Sequence, residues 1–210
     1  MKHTDRKRAD ILAAAVRRFR ASGYDNTSMD QIAEAAGASK RTVYNHFGSK
    51  EQMFEAIVHE MLDRTNVIVT LDYDAERSLV EQCTEIANSV MGVLRDEGYL
   101  DLARVVVSRL MVAPEYGQMI ASHRNRINTV IAQWLAAADQ DGRLRVPNAD
   151  LAADQFLGML MAYGFWPQLF GIEKISYSIS QTDFIQQTVA MFLKGYQASE
   201  PVAASDDRGD

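Results

Sequence analysis

The strongest constraint on this chain is a trio of serines, Ser28, Ser39 and Ser49, each standing at the head of a short helical pattern. Ser28-Met29-Asp30-Gln31 and Ser49-Lys50-Glu51-Gln52 are capping boxes. In such a box the serine hydroxyl accepts from the backbone N–H three residues on, and the glutamine reaches back. The first box opens a helix through Ala36 that Gly37 stops; Ser39 caps a second through Phe47 that Gly48 stops. The box at Ser49 opens a longer helix with Met53, Phe54, Ile57, Val58, Met61 and Leu62 on one face. Ahead of them, Ile11, Leu12, Ala15, Val16 and Phe19 recur at three and four residues and predict a first helix over 5–21, with Gly23 at its stop. Four short helices joined by turns of two or three residues make a small, self-contained domain.

Within it, Ile32, Ala33 and Ala36 face inward from one helix, and Val43 and Phe47 from the next. Ala33 must be small where the two helices cross, and Gly37 supplies the left-handed backbone of a tight interhelical turn. The second helix still exposes Lys40, Arg41, Thr42, Tyr44, Asn45 and His46. Cations, hydroxyls and an amide are the groups that meet phosphates and base edges, and a helix N-terminus favours a phosphate. An ordinary polar face in a bundle is the bland alternative. Against it stands the shortness of the helix, which is poorly stable alone. The reading is a helix-turn-helix over residues 25–52 that binds double-stranded DNA.

The overall charge of −6 conflicts with that reading until the chain is divided. Residues 1–50 carry ten Lys/Arg against five Asp/Glu, whereas residues 51–210 carry twelve against twenty-three. A basic end can face DNA while an acidic body stays off the duplex. Apolar runs such as Ile11–Val16 fall far short of the ~20 residues of a membrane helix, and no signal-peptide core follows the basic N-terminus. With a single cysteine, Cys83, an internal disulfide is impossible and a cytoplasmic setting is expected.

Beyond Asp72 the helical pattern lengthens, with helices predicted at 76–97, 99–112, 114–139, 150–169 and 181–197. The expected fold is all-α, with about nine helices. A DNA-binding domain over 1–50 precedes a helical ligand-binding and dimerisation domain over 51–198, and an acidic tail over 199–210 is expected to be disordered.

Residues 9–55 resemble the TetR/AcrR family of bacterial regulators, most densely from Thr27 to Phe54. Ile32-Ala33, Ala36-Gly37-Ala38-Ser39, Thr42-Val43-Tyr44-Asn45-His46-Phe47 and Ser49-Lys50-Glu51 carry the likeness. The resemblance implies a homodimer on a palindromic operator, usually a repressor released by a small-molecule effector. By position it puts Lys40, Arg41, Thr42 and Asn45 near bases, and Thr27, Ser28, Thr42, Tyr44, His46 and Lys50 near phosphates. Lys40-Arg41 stands where many members have a small residue. Leu144-Arg145-Val146-Pro147, Asp150–Leu160 and Phe165–Gly171 are similar to the AefR-like C-terminal subgroup, which implies the body plan and no particular ligand.

For the C-terminal domain, Met91, Leu94, Met111, Tyr116, Met119, His123, Trp134, Met159 and Tyr163 are candidates to line a pocket for an apolar ligand. Plain core is the alternative for each. Phe156, Leu160, Trp166, Phe184, Val189, Phe192 and Tyr196 are either a dimer interface, as the resemblance implies, or a core stripe. No catalytic, metal or cofactor motif is present: Val58-His59-Glu60-Met61-Leu62 lacks the second histidine of a zinc site. A regulator is therefore expected rather than an enzyme. An all-α carrier and a ligand-free architectural factor remain the rivals.

Overall fold

The computed structural model describes residues 3–65, 72–122, 126–172 and 178–198. Among them are eleven helices: α1 His3–Ser22, α2 Met29–Ala35, α3 Lys40–Phe47, α4 Lys50–Arg64, α5 Leu79–Leu94, α6 Glu97–Leu110, α7 Glu115–Ser122, α8 Arg126–Gln140, α9 Ala149–Gly164, α10 Trp166–Leu169 and α11 Gln181–Gly195. Among the described residues the only bridge is an isolated antiparallel one between Leu144 and Gln197. No described helix is long and apolar enough to cross a membrane.

The helix count exceeds the expected nine at two places. The run 114–139 is α7 and α8, with residues 123–125 between them outside the described set. The run 150–169 breaks at Phe165 because Pro167, in the first turn of α10, lacks an N–H to continue the ladder. His123 and the tail 199–210 also lie outside the described residues.

Ser28, Ser39 and Ser49 are the N-caps of α2, α3 and α4 as expected; the full reciprocal box forms at Ser28, and at Ser49 only the hydroxyl limb to Gln52 N–H. Ser28 Oγ accepts from Gln31 N–H at 3.2 Å while Gln31 Oε1 accepts from Ser28 N–H at 2.8 Å. The α2–α3 turn closes with Ala38 N–H on Ala33 O and Gly37 N–H on Glu34 O, around a Gly37 φ of +55°. From α1, Lys7 Nζ donates to the Ala36 and Gly37 carbonyls, tying α1 to the same turn.

Two apolar cores result. One collects Ile11, Val16 and Phe19 of α1, Ile32 and Ala33 of α2, Val43 and Phe47 of α3, and Met53, Phe54, Ile57 and Val58 of α4. It is completed by Leu102, Val105 and Val106 of α6, so the N-terminal helices share their core with the C-terminal body. The other is built by α5, α6, α8, α9 and α11 around Met91, Trp134, Phe156 and Leu160. Gly164 lets α9 approach α5 closely there: an added Cβ would lie 2.6 Å from Met91 Sδ.

Candidate nucleic-acid interface

Helix α3 has an inner and an outer face. Val43 and Phe47 are buried beneath it, while Lys40, Arg41, Tyr44 and Asn45 are exposed and Thr42 and His46 are half-buried. Nearly half of the Tyr44 surface, 48%, is open on this face. At the N-terminus of α3, Ser39 Oγ accepts from Thr42 N–H at 3.1 Å and shares a 2.8 Å hydrogen bond with the Thr42 hydroxyl. Ser28 begins α2 nearby in sequence, so two capped N-termini belong to one motif.

Three of the sequence-derived site residues occupy positions their residue types did not foretell. Thr27 is buried, at 1% exposure, and its hydroxyl donates to Gly23 O at 2.8 Å; it caps the α1–α2 turn from inside. Lys40 forms an ion pair with Asp30 of α2, so its ammonium is drawn across to the neighbouring helix. Lys50, expected near a phosphate, turns its ammonium into the domain. There it donates to Tyr24 O at 3.0 Å and Thr27 O at 3.1 Å and lies 4.4 Å from the Tyr24 ring centroid. Arg41, Tyr44 and Asn45 remain on the outer face of α3.

Sequence reasoning missed the cluster behind this face. Arg109 of α6 pairs with Asp25 at 3.1 Å and sets its guanidinium 4.3 Å from the centroid of Tyr24 and 5.5 Å from that of Tyr116. Burial, then the Glu51 carboxylate, push the Tyr24 phenol well above its ordinary pKa. Backbone and Ser49 hydrogen bonds hold Glu51 below the usual carboxylate range. A second tether joins Arg20 of α1 to Asp101 of α6 at 2.5 Å, and Asp101 also pairs with Arg104, which donates to Gln168 O of α10 at 2.9 Å. The long-range partners in this cluster, separated by 64 to 85 residues, leave no local periodicity to find.

In the C-terminal body the pocket candidates disperse. Met91, Leu94 and Trp134 are buried in the core, and Trp134 Nε1 donates to Gln82 Oε1 at 3.2 Å. Met111 is corrected to a surface residue at 79% exposure, on the turn after α6. Tyr116 joins the N-terminal core, edge-on to Phe54. Tyr163 stacks on Phe184 and donates to Ile179 O. The side chain of Met119 lies outside the described set.

The dimer candidates need a similar correction. Phe156, Leu160, Val189 and Phe192 are all buried inside the protomer, because a helical stripe facing a neighbouring helix of the same chain needs no second copy. Trp166 is 40% exposed. An open, largely apolar groove of about 580 Å³ runs along α9 and α11, lined by Gln155, Gly158, Met159, Ala162, Met191 and Tyr196 among others. Among the described residues, no cluster of three His, Cys, Asp or Glu is placed to hold a metal ion.

Comparison with known proteins matches both halves. Residues 11–57 match the model for bacterial regulatory proteins of the tetR family, and residues 81–198 match the AefR-like transcriptional repressor C-terminal domain. A TetR family transcriptional regulator from Pseudomonas syringae pv. tomato is 33% identical, with a TM-score of 0.78 over 95% of this chain and all of that one. A regulator of the same family from Mesorhizobium loti is 28% identical, with a TM-score of 0.73 over 94% of this chain and all of its own. The transcriptional repressor AcnR of Corynebacterium efficiens is 28% identical over 141 residues, which is 66% of this chain and 69% of the relative.

Proposed function

The chain belongs to the TetR family of helix-turn-helix transcriptional regulators, and from that premise we propose that it is a homodimeric repressor that an apolar or amphipathic small molecule releases from its operator. The observation that carries the reading is α3: eight residues, two of them locked into a core, with Arg41, Tyr44 and Asn45 left facing out. Arg41 and Asn45 are the base readers in this account, matching the donor and acceptor patterns of guanine and adenine edges. Ser28, Thr42, Tyr44 and His46 supply hydroxyl, phenol and imidazole contacts to phosphates on either side. Lys40 reads bases only by leaving Asp30, an exposed pair whose loss costs little. A repressing role follows the relative AcnR, itself a transcriptional repressor.

One eight-residue helix reads too few bases to find a site alone, so two copies are needed, spaced to match the major groove. The groove between α9 and α11 suits a second copy of the chain: Gly158, Ala162 and Gly195 permit close approach, and Met191, in its lining, is 61% exposed. The effector would enter the C-terminal core around Met91, Leu94 and Trp134, where flexible methionine adapts to a guest. It would favour the arrangement that spoils the spacing of the two α3 helices. Work in the cytoplasm, beside the chromosome, is part of the same reading.

Selection of genomic fragments by the purified protein tests this. Recovery of a palindromic site bound by two protomers is the expected result. Binding as a single protomer to sites without two-fold symmetry would overturn the dimeric reading.

A further inference from the structure

The turn between α1 and α2, residues 23–28, is held by side chains from two other helices. From α4, Lys50 donates to the carbonyls of Tyr24 and Thr27. From α6, Arg109 reaches the carboxylate of Asp25 and the ring of Tyr24. Both cations lie within 4.4 Å of one aromatic centroid. The turn leads directly into Ser28, the N-cap of α2, and α3 follows after another short turn. A grip on Tyr24 is therefore a grip on the whole reading motif.

Arg109 belongs to α6, which builds both cores, so its contact crosses from the C-terminal body to the DNA-binding helices. We propose that Arg109 is a positioning residue for DNA binding: an interdomain latch through which α6 holds the α1–α2 turn, and with it α3, in one orientation. The proposal rests on the DNA-binding reading above. The ring carries most of the latch. Asp25 is 72% exposed, and an ion pair with so open a partner contributes little. The Arg109 side chain is only 16% exposed, and a sheltered guanidinium against tyrosine rings is the stronger contact. A planar guanidinium stacks where a lysine ammonium does not, so Arg109→Lys keeps the charge and loses the fit.

The test uses the full chain, a 30-base-pair duplex of mixed sequence, and hydrogen exchange. Arg109→Gln should weaken duplex binding roughly three- to thirty-fold. The slope of log affinity against log salt should stay at its wild-type value, because no phosphate contact is removed. Amide exchange should quicken in residues 23–47 and stay unchanged in α5, α9 and α11. Arg109→Lys, which keeps the charged stem, should weaken binding by a smaller factor in the same direction. Asp25→Asn should change it less than Arg109→Lys does, and Tyr24→Phe, which keeps the ring, should match wild type.

A slope lowered by about 1 would overturn the latch, because Arg109 would itself be touching phosphate. Exchange raised equally throughout the C-terminal core would overturn it too, as the mark of general packing. So would undiminished binding by Arg109→Gln. If the wild-type protein shows no affinity for duplex DNA, the DNA-binding reading fails, and exchange over residues 23–47 still reports whether Arg109 holds the turn.

Discussion

Replacing Lys50 with methionine separates the phosphate contact that the resemblance implies from the turn-holding role that its hydrogen bonds give it. In the structure its ammonium donates to Tyr24 O at 3.0 Å and Thr27 O at 3.1 Å, with Asp25 O at 3.5 Å and the Tyr24 ring at 4.4 Å. A charged hydrogen bond contributes about 1.5–3 kcal/mol when enclosed. Lys50 is half-buried and the turn is open to water, so the two good bonds together contribute about 1–2 kcal/mol, and the cation–π contact adds about 0.5–1. The expected loss is about 1.5–3 kcal/mol, or a fall in melting temperature of roughly 3–12 °C for a chain of this size. Methionine keeps the length of the stem, so packing changes little. Arginine should rescue only part of the loss, since its flat fork cannot place its donors on carbonyls that converge on one point. The assay is thermal unfolding paired with duplex binding over a range of salt. Lowered stability with an unchanged salt slope is expected. A variant as stable as wild type whose slope falls by about 0.9 would refute the reasoning and return Lys50 to the phosphates.

Gly164→Ala forces a Cβ to within 2.6 Å of the buried Met91 sulfur, so Met91→Ala should cost less in that background than in wild type; additive costs in a double-mutant cycle would show that the two helices do not approach so closely. Burial raises the Cys83 thiol and the Tyr99 phenol each to about 12 from ordinary values of 9.0 and 10.0. Stability should therefore be intact below about pH 9 and fall as pH climbs toward 12, with Tyr99→Phe flattening the decline in melting temperature above pH 10. Met191→Asp puts a charge in the lining of the α9–α11 groove and should shift the mass measured by light scattering toward one protomer; an unchanged dimer mass would place the interface elsewhere.

The caps at Ser28, Ser39 and Ser49 and the positive φ of Gly37 were legible in the sequence because donor, acceptor and turn residue lie within five positions of one another. The inward set of the first four helices was legible for the same reason, helical spacing being a local property. Periodicity reports that a face is buried and says nothing of what buries it. The stripe of Phe156, Leu160, Val189 and Phe192 thus read equally well as interface or core, and it is core. The break at Phe165 was hidden because the apolar run continues across it and proline is acceptable in a first helical turn. The side chains of Thr27, Lys40 and Lys50 follow the positions of Gly23, Asp30 and Tyr24, and residue type alone does not reveal such partners. Arg109 was the hardest of all, a surface-type residue whose partners lie 84 positions away in Asp25 and on two aromatic rings.

On the proposed reading, the outer face of α3 chooses the DNA sequence. Competition between a genomically selected fragment and a scrambled duplex of equal length, for wild type and Arg41→Ala, tests it most directly. Arg41→Ala should lose about 1–3 kcal/mol more on the selected fragment than on the scrambled one, so the preference shrinks by roughly five- to 150-fold. Equal losses on both duplexes would make Arg41 a backbone contact, and no loss on either would remove Arg41 from the interface; either result contradicts the assignment.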